Sequence, residues 1–155
     1  MRAVVQRVTR ASVTIAGRGA GAIATGLLVL VGVAAGDTAA DAQALAAKVA
    51  GLRIFDDAAG AMNLDLAAAG GAVLLVSQFT LLADTRRGRR PSFVAAARGD
   101  HANALYERVA SELRAAGVRV ETGVFGADMD VELVNNGPVT ILLDTEPQAR
   151  RAAKG

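Results

Sequence analysis

Apolar and polar residues alternate imperfectly over residues 2–16. The apolar residues that share one parity are Ala3, Val5, Ala11, Val13 and Ile15. Because β-branched residues are frequent here, this stretch predicts one long strand or two. Gly17-Arg18-Gly19 and Thr25-Gly26 indicate turns on either side of a short strand over 20–24. The uninterrupted apolar run 27–33 predicts a strand covered on both faces.

Helical periodicity is present in two later segments. Apolar residues recur at helical spacing after Asp37, which can cap a helix that runs to about Leu52. The same spacing follows Asp100, which can cap a second helix to about Ala116, and Gly117 can end it. The chain therefore predicts two main helices.

The remaining apolar runs predict further strands. One is a buried strand over 73–76 that continues to Leu81. Three more are expected near residues 118–122, 131–134 and 139–143. No repeat or linker divides the chain, so the pattern predicts a single α/β domain over 1–145 in which strands outnumber helices. A basic tail, 146–155, has no apolar period and is expected to be frayed.

Composition narrows the possible classes of protein. Of the 155 residues, 52% are apolar and none is cysteine. The missing cysteines exclude a disulfide framework, a thiolate nucleophile and a cysteine-ligated metal, and they favour the reducing cytoplasm. No apolar run approaches the roughly 20 residues that cross a bilayer, so no membrane partner is expected.

The net charge of the chain is small, but several positive charges are clustered in one segment. The formal net charge is only +2, which does not by itself indicate nucleic-acid binding. Between Asp84 and Pro91, however, four arginines crowd into a predicted loop: Arg86, Arg87, Arg89 and Arg90. Their forked donors match phosphate oxygens, so they are candidate phosphate contacts. The alternative is an ordinary solvated loop.

Candidate chemistry begins at the end of the strand over 73–76. Ser77 and Thr80 carry hydroxyls there, but Ser77 is not in a Gly-x-Ser-x-Gly elbow and the only histidine, His101, falls in the second helix. Both hydroxyls could instead satisfy backbone groups. Gln78 must find partners or face a cavity. In an extended strand Gln78 and Thr80 would share one face, and Ser77 and Phe79 would share the other. All four residues can line one site only if the backbone bends there.

The segment Asn135–Thr140 is the second unusual element. Asn, Gly and Pro are turn residues, so a plain turn between two strands is the simple interpretation. The amide that joins Gly137 to Pro138 also has an accessible cis form, which can direct two consecutive carbonyls the same way. Such a pair would accept hydrogen bonds from an ammonium group.

Metal binding has little support in the sequence. The close carboxylate pairs are Asp56 with Asp57 and Asp128 with Asp130, and neither comes with a histidine or a calcium-loop pattern. We interpret both pairs as turn or solvent-facing residues. No metal or cofactor is expected.

Four motifs in order resemble the D-aminoacyl-tRNA deacylase family: MRAVVQRVTRASV at the start, SQFTL at 77–81, RPSF at 90–93 and NGPVT at 136–140. The resemblance extends to about residue 145. It implies a homodimer of three-layer β/β/α subunits that hydrolyses the ester between a D-amino acid and the 3′ end of tRNA. It also implies that Ser77–Thr80 line the pocket for the terminal adenosine and the ester. The Gly137–Pro138 pair is implied to be cis and to reach the partner subunit's pocket.

The residues suggest how such a site would work. Carbonyls of Gly137 and Pro138 would hold the substrate ammonium, while backbone crowding excludes an L side chain, so glycine would escape rejection. We favour water attack assisted by the adenosine 2′-OH, with backbone N–H groups around Phe79 and Thr80 stabilising the oxyanion. Thr80 as a nucleophile is the alternative. Arg7 interrupts the parity of the first strand; it either faces solvent or is buried and braces this Gly-Pro pair through a carbonyl.

Two other classes of function stay open at this point. A non-catalytic RNA-binding protein would bind aminoacyl-tRNA without cleaving it, although few aromatic residues are available for stacking. A hydrolase of small esters or amides would act through Ser77 or Thr80 and ignore RNA. The expected partners are aminoacyl-tRNA and a second copy of the chain, with no DNA.

Overall fold

The structure is a computed structural model that describes residues 1–146. The predicted tail, 146–155, lies outside these residues except for its first position. Within them the chain forms eight strands, two α-helices and one 3₁₀ helix. In chain order the elements are β1 (Arg2–Ile15), β2 (Arg18–Ile23), β3 (Gly26–Gly32), α1 (Ala39–Gly51), β4 (Phe55–Asp56), β5 (Met62–Leu64), β6 (Ala72–Ser77), the 3₁₀ helix (Phe79–Leu82), α2 (Gly99–Ala115), β7 (Arg119–Thr122) and β8 (Asp130–Asp144).

Six of the strands form one mixed sheet in the order β2-β1-β3-β6-β7, with β8 also paired to β1. The long β1 runs antiparallel to β2, β3 and β8. β6 is parallel to both β3 and β7. The predicted α/β domain with strands outnumbering two helices is confirmed.

The central strands β3 and β6 are buried on both faces, as the apolar runs predict. Leu27, Val29 and Val31 pack with the helices. Leu28 and Leu74 point the other way, into a second core formed by the ends of β1, β2 and β8. The helices thus cover one face of β3 and β6, and the ends of β1, β2 and β8 cover the other face. This arrangement gives the molecule three layers.

Both predicted helix caps are wrong by one or two residues. Thr38, not Asp37, is the N-cap of α1, and the Asp41 carboxylate accepts the Thr38 backbone N–H at 2.9 Å. Asp37 instead accepts the Ala34 N–H at 2.6 Å and holds the preceding turn. Arg98 is the N-cap of α2, so Asp100 lies in the first turn. Its negative charge there stabilises the helix by interacting with the positive end of the helix dipole.

Three predicted strand boundaries also differ. The strand expected to reach Leu81 ends at Ser77, and the chain turns into the 3₁₀ helix. The two strands expected around Asn135–Thr140 are one continuous strand, β8, because β1 pairs with it on both sides of that segment. β4 and β5 form a hairpin around Asp56 and Asp57, which the sequence indicated only as turn or solvent-facing residues, because strands of two and three residues are too short to show a period.

Gly26 marks the closest approach of two strands. A Cβ atom at this position would overlap the Ala72 carbonyl oxygen and lie 2.7 Å from the Ala72 amide nitrogen. Both obstructing atoms belong to the backbone of β6, which pairs with β3 from this residue onward. A side chain could therefore fit only if the strands separated.

We expect Gly26→Ala to lower the free energy of unfolding by about 3 kcal/mol, because the obstructing backbone of β6 cannot move aside as a side chain can. Gly19→Ala is the matched control, since Gly19 lies in β2 with no atom within 4 Å of its Cβ position. That variant should stay within about 0.5 kcal/mol. Urea unfolding at one protein concentration measures both, and equal stabilities would contradict the close approach.

Candidate active site

A cleft of about 660 Å³ opens beside the end of β6. Its walls come from four stretches of the chain: Val33 after β3, the end of β6, the segment that leads into α2 and the segment that leads into β8. Its lining residues include Ser77, Gln78, Phe79, Phe93, Arg98, Phe125, Asp128 and Met129. The cleft is large enough for a nucleoside-sized ligand.

The bend that a shared site required is present after Ser77. Gln78 leaves the sheet with φ −143° and ψ 81°, while its N–H still donates to the Val31 carbonyl at 2.7 Å. The 3₁₀ helix then begins at Phe79. As a result three successive residues, Ser77, Gln78 and Phe79, line the cleft together.

Thr80 lies beside the cleft and is exposed. Gln78 Nε2 donates to Thr80 Oγ1 at 2.5 Å, so the amide holds the hydroxyl in place. An amide N–H cannot accept the proton of a nucleophilic hydroxyl. His101 is exposed in the first turn of α2 and is not among the cleft residues, so the structure assembles no Ser/His or Thr/His pair here.

Aromatic rings form a wall that the sequence did not reveal. Phe79 is 53% exposed and meets Phe93 edge to face, with ring centroids 5.1 Å apart and planes at 73°. Phe125 and Met129 enter the cleft from the segment before β8. The RPSF motif pointed to Phe93, but nothing local in the sequence could place Phe125 against the end of β6.

Backbone hydrogen bonds fasten the segment before α2 to the end of β3. Ala97 N–H donates to the Val33 carbonyl at 2.8 Å, and Ala35 N–H donates to the Ala95 carbonyl at 3.0 Å. This segment brings Arg98 into the cleft wall, and Asp128 lies in the wall as well. The cleft therefore has a positively charged and a negatively charged side chain in its wall as well as an aromatic surface.

Gly137 and Pro138 lie on a protrusion of β8. Gln6 pairs with Thr140 and Val8 pairs with Asn135, so residues 136–139 stand opposite Arg7 alone. The Asn135 side chain closes the base of this protrusion: its Oδ1 accepts the Val139 N–H at 2.9 Å and its Nδ2 donates to Thr140 Oγ1 at 3.0 Å. The Gly137–Pro138 peptide bond is cis.

Arg7 is buried, and its guanidinium donates a hydrogen bond to a backbone carbonyl of the protrusion. Only 7% of the residue is exposed, and it is the one buried charged residue among residues 1–146. Its Nε donates to the Asn136 carbonyl at 3.2 Å. Its Nη1 donates to the Ile54 carbonyl at 2.7 Å and to Asp56 Oδ1 at 3.0 Å.

The structure does not place the Gly-Pro pair in the cleft of its own chain. Gly137 and Pro138 are exposed, and neither lines the cleft. Gly137 has φ +127°, a backbone conformation that L side chains rarely adopt, and an added Cβ would lie 2.7 Å from Val139 Cγ2. This position therefore excludes a side chain.

The arginine loop is closed by a pair of backbone hydrogen bonds between Asp84 and Ser92, at 2.8 and 2.9 Å. Arg86 folds back onto the Asp84 carboxylate with Nε and Nη2 at 3.0 and 2.8 Å. Its side-chain and backbone hydrogen bonds hold the pKa of Asp84 well below the usual range. The other three arginines, Arg87, Arg89 and Arg90, are exposed.

Asp56 and Asp57, the first of the two carboxylate pairs, both make structural contacts. Asp57 accepts the backbone N–H groups of Ala61 and Ala59, at 3.1 and 2.9 Å, and these bonds lower its pKa. Asp56 binds Arg7. Among residues 1–146 no group of three histidine, aspartate or glutamate side chains is placed to hold a metal ion. No helix in this part of the chain is long and apolar enough to cross a membrane.

Comparison with known proteins identifies the family. A family model described as D-Tyr-tRNA(Tyr) deacylase matches residues 4–144. The chain belongs to this family. A D-aminoacyl-tRNA deacylase from Anaeromyxobacter dehalogenans is 66% identical over 94% of this chain and 97% of its own. One from Thermus aquaticus is 57% identical over 94% and 95%.

Solved structures share the fold of this chain. A protein named c-Myc DNA Unwinding Element Binding Protein is 38% identical, with a TM-score of 0.89 over 95% of this chain and 100% of that one. A probable eukaryotic D-amino acid tRNA deacylase has a TM-score of 0.81 over 92% and 97%, and at 17% identity it shows the shared fold. The family resemblance read from the sequence is confirmed.

Proposed function

We propose that this deacylase-family protein hydrolyses the ester bond between a D-amino acid and the 3′ end of tRNA. The observation that carries the proposal is the family match over residues 4–144. The Ser77-Gln78-Phe79 segment, which lies within the matched residues, lines a nucleoside-sized cleft. A hydrolase of this class needs an aminoacyl-tRNA as its substrate. Such a substrate favours a cytoplasmic location, and the proposed chemistry uses no cofactor.

The cleft is the proposed site for the terminal adenosine and the ester. Phe79, Phe93 and Phe125 supply aromatic surface against which a base can pack. The ester would then lie near the turn at Gln78, close to the backbone N–H groups of Phe79 and Thr80. The first hydrogen bond of the 3₁₀ helix runs from Leu81 N–H to the Gln78 carbonyl, so the N–H groups of Phe79 and Thr80 precede the hydrogen bonds within the helix. We assign them to stabilising the oxyanion.

A homodimer would bring the protrusion of one subunit to the cleft of the other. Two features support this assembly: residues Gly137 and Pro138 are exposed and outside their own cleft, and β8 is an edge strand that pairs only with β1 within residues 1–146. β8 also exposes apolar side chains, with Leu142 78% exposed and Val134 37% exposed. A long edge with apolar residues favours association with a partner.

Chirality would be selected by exclusion at this protrusion. Carbonyls of Gly137 and Pro138 accept hydrogen bonds from the substrate ammonium, and the crowded backbone leaves no room for an L side chain. Glycine carries no side chain for the site to reject, so glycyl-tRNA would be a secondary substrate. The selection would thus be made by main-chain groups.

The proposed attack uses water assisted by the adenosine 2′-OH beside the ester. Thr80 Oγ1 is held by an amide donor rather than by a base, which argues against the threonine as nucleophile. The substrate would therefore supply the group that the protein lacks. Ser77 and Gln78 would shape the cleft and orient the ester.

A deacylation assay on one tRNA carrying D-, L- or glycyl esters tests the function. We expect hydrolysis of the D and glycyl esters and an L rate at least about a hundredfold lower, because a steric clash costs several kcal/mol. A free D-amino-acid ester is the control, and it should be a poor substrate. Binding without cleavage would indicate an RNA-binding protein, and equal cleavage of the free ester would indicate a small-ester hydrolase.

Thr80→Val tests the nucleophile under single-turnover conditions. We expect the rate on a D-aminoacyl ester to fall by less than about tenfold, whereas removal of a true nucleophile costs at least about 10⁴-fold. A tRNA that ends in 2′-deoxyadenosine should react far more slowly with the unaltered enzyme. Near-complete loss of rate in the variant, with binding intact, would establish Thr80 as the nucleophile.

The arginine loop is the proposed contact with the acceptor-stem phosphates. Arg86 is already paired with Asp84, so most of the charge that can reach a phosphate lies on Arg87, Arg89 and Arg90. Exposed guanidinium groups that bind phosphates release counterions, which makes tRNA affinity depend on salt.

We expect the combined change of Arg87, Arg89 and Arg90 to Gln to weaken tRNA binding. The slope of log K against log salt should fall by about 0.7–0.9 for each phosphate that the variant no longer neutralises, with the preference for D over L unchanged. Arg108→Gln with Arg119→Gln is the control, because these exposed arginines are paired with Glu112 and Glu121. An unchanged slope in the triple variant would remove the loop from the RNA interface.

A further inference from the structure

We propose that Asp56 is a positioning residue for chiral selection, acting through Arg7 on the protrusion that carries Gly137 and Pro138. The inference rests on the proposed function, because selection between D and L esters is the property it would control. It assigns a role to the β4–β5 hairpin, which otherwise has no part in the site.

Arg7 joins two parts of the chain that do not pair with each other as strands. The Ile54 carbonyl and Asp56 Oδ1 bind its Nη1 at 2.7 and 3.0 Å, and both come from the start of the hairpin. The Asn136 carbonyl binds its Nε at 3.2 Å and belongs to the protrusion. The guanidinium is therefore a link between hairpin and protrusion.

Asp56 supplies the negative charge in this link. The Arg7 side chain is 9% exposed, and Asp56 is its ion-pair partner at 3.0 Å. A buried guanidinium without its carboxylate keeps a charge with no counter-charge, so it tends to move toward water. Two carbonyls can hydrogen-bond to the group, but neither neutralises it.

Arg7 also packs directly behind Gly137. Its Nη2 lies 3.3 Å from the position that a Gly137 Cβ would occupy. Asn135 closes the base of the protrusion, whereas Arg7 supports it from the side. A shift of the guanidinium would therefore reach the carbonyls that are proposed to hold the substrate ammonium.

Removal of the Asp56 charge should act on selectivity more than on folding. The hairpin has its own pairing, Phe55 with Leu64 and Asp56 with Met62. A looser protrusion would hold the ammonium less firmly and admit an L side chain more easily. The ratio of D to L rates is the quantity that reports this change, since a general decrease in folded enzyme would lower both rates equally.

The experiment compares Asp56→Asn with Asp57→Asn on D- and L-aminoacyl esters of one tRNA. Asp57 is the matched control, because it lies next in the chain and holds the same hairpin through Ala59, Ala61 and Asn63 without contacting Arg7. We expect the D/L ratio to fall about tenfold in Asp56→Asn, the scale of one charge-assisted hydrogen bond. Asp57→Asn should stay within about twofold, and Asp56→Glu should recover part of the ratio.

Hydrogen exchange provides a readout that does not need activity. The Val139 amide, which donates to Asn135 Oδ1, should exchange faster in Asp56→Asn than in Asp57→Asn. A D/L ratio unchanged in Asp56→Asn, or lowered equally in both variants, would overturn the inference while the proposed function stands. An unaltered enzyme that does not distinguish D from L would overturn the proposed function itself.

Discussion

A guanidinium withdrawn from water must have hydrogen-bond acceptors and a counter-charge, and Arg7 meets this requirement only where three segments converge. β1 carries Arg7 into the interior, the β4–β5 hairpin offers Ile54 and Asp56, and β8 offers the Asn136 carbonyl. Each of these segments must hold its place for the charge to be satisfied. The Gly137–Pro138 pair is therefore held by the buried Arg7 cation as well as by the Asn135 side chain at the base of the protrusion.

The proposed substrate cleft depends on backbone geometry in a similar way. β6 must end at Ser77 so that the next residues can turn out of the sheet. The Gln78 N–H keeps its hydrogen bond to the Val31 carbonyl, which fixes the point of departure. The aromatic wall is then completed by segments that β3 and β8 hold in place. In the protrusion and in the cleft, the course of the main chain brings side chains from distant segments to one place.

Local chemistry explains which predictions agreed with the structure. The apolar runs of β3 and β6 predicted strands buried on both faces because no polar residue interrupts them, and two separate cores cover them. Arg7 stood out because it broke the parity of β1, and burial made its need for an acceptor real. The cap at Asp37 was misplaced because the neighbouring Thr38 forms a capping box with Asp41. The cap at Asp100 was misplaced because α2 begins at Gly99 after Arg98, whose side chain makes no cap hydrogen bond, so no local signal marks the start.

The sequence by itself determined the family, the two helices, the doubly buried strands and the motifs at Ser77–Thr80 and Gly137–Pro138, because periodicity and motif order are properties of neighbouring residues. Only the tertiary structure decided that β8 runs through Asn135–Thr140, since β1 pairs with it on both sides and the extra residues bulge opposite Arg7. It also decided that Phe125, Arg98 and Asp56 belong with these motifs. Contacts between segments far apart in the chain depend on how the layers pack, and no local pattern records them.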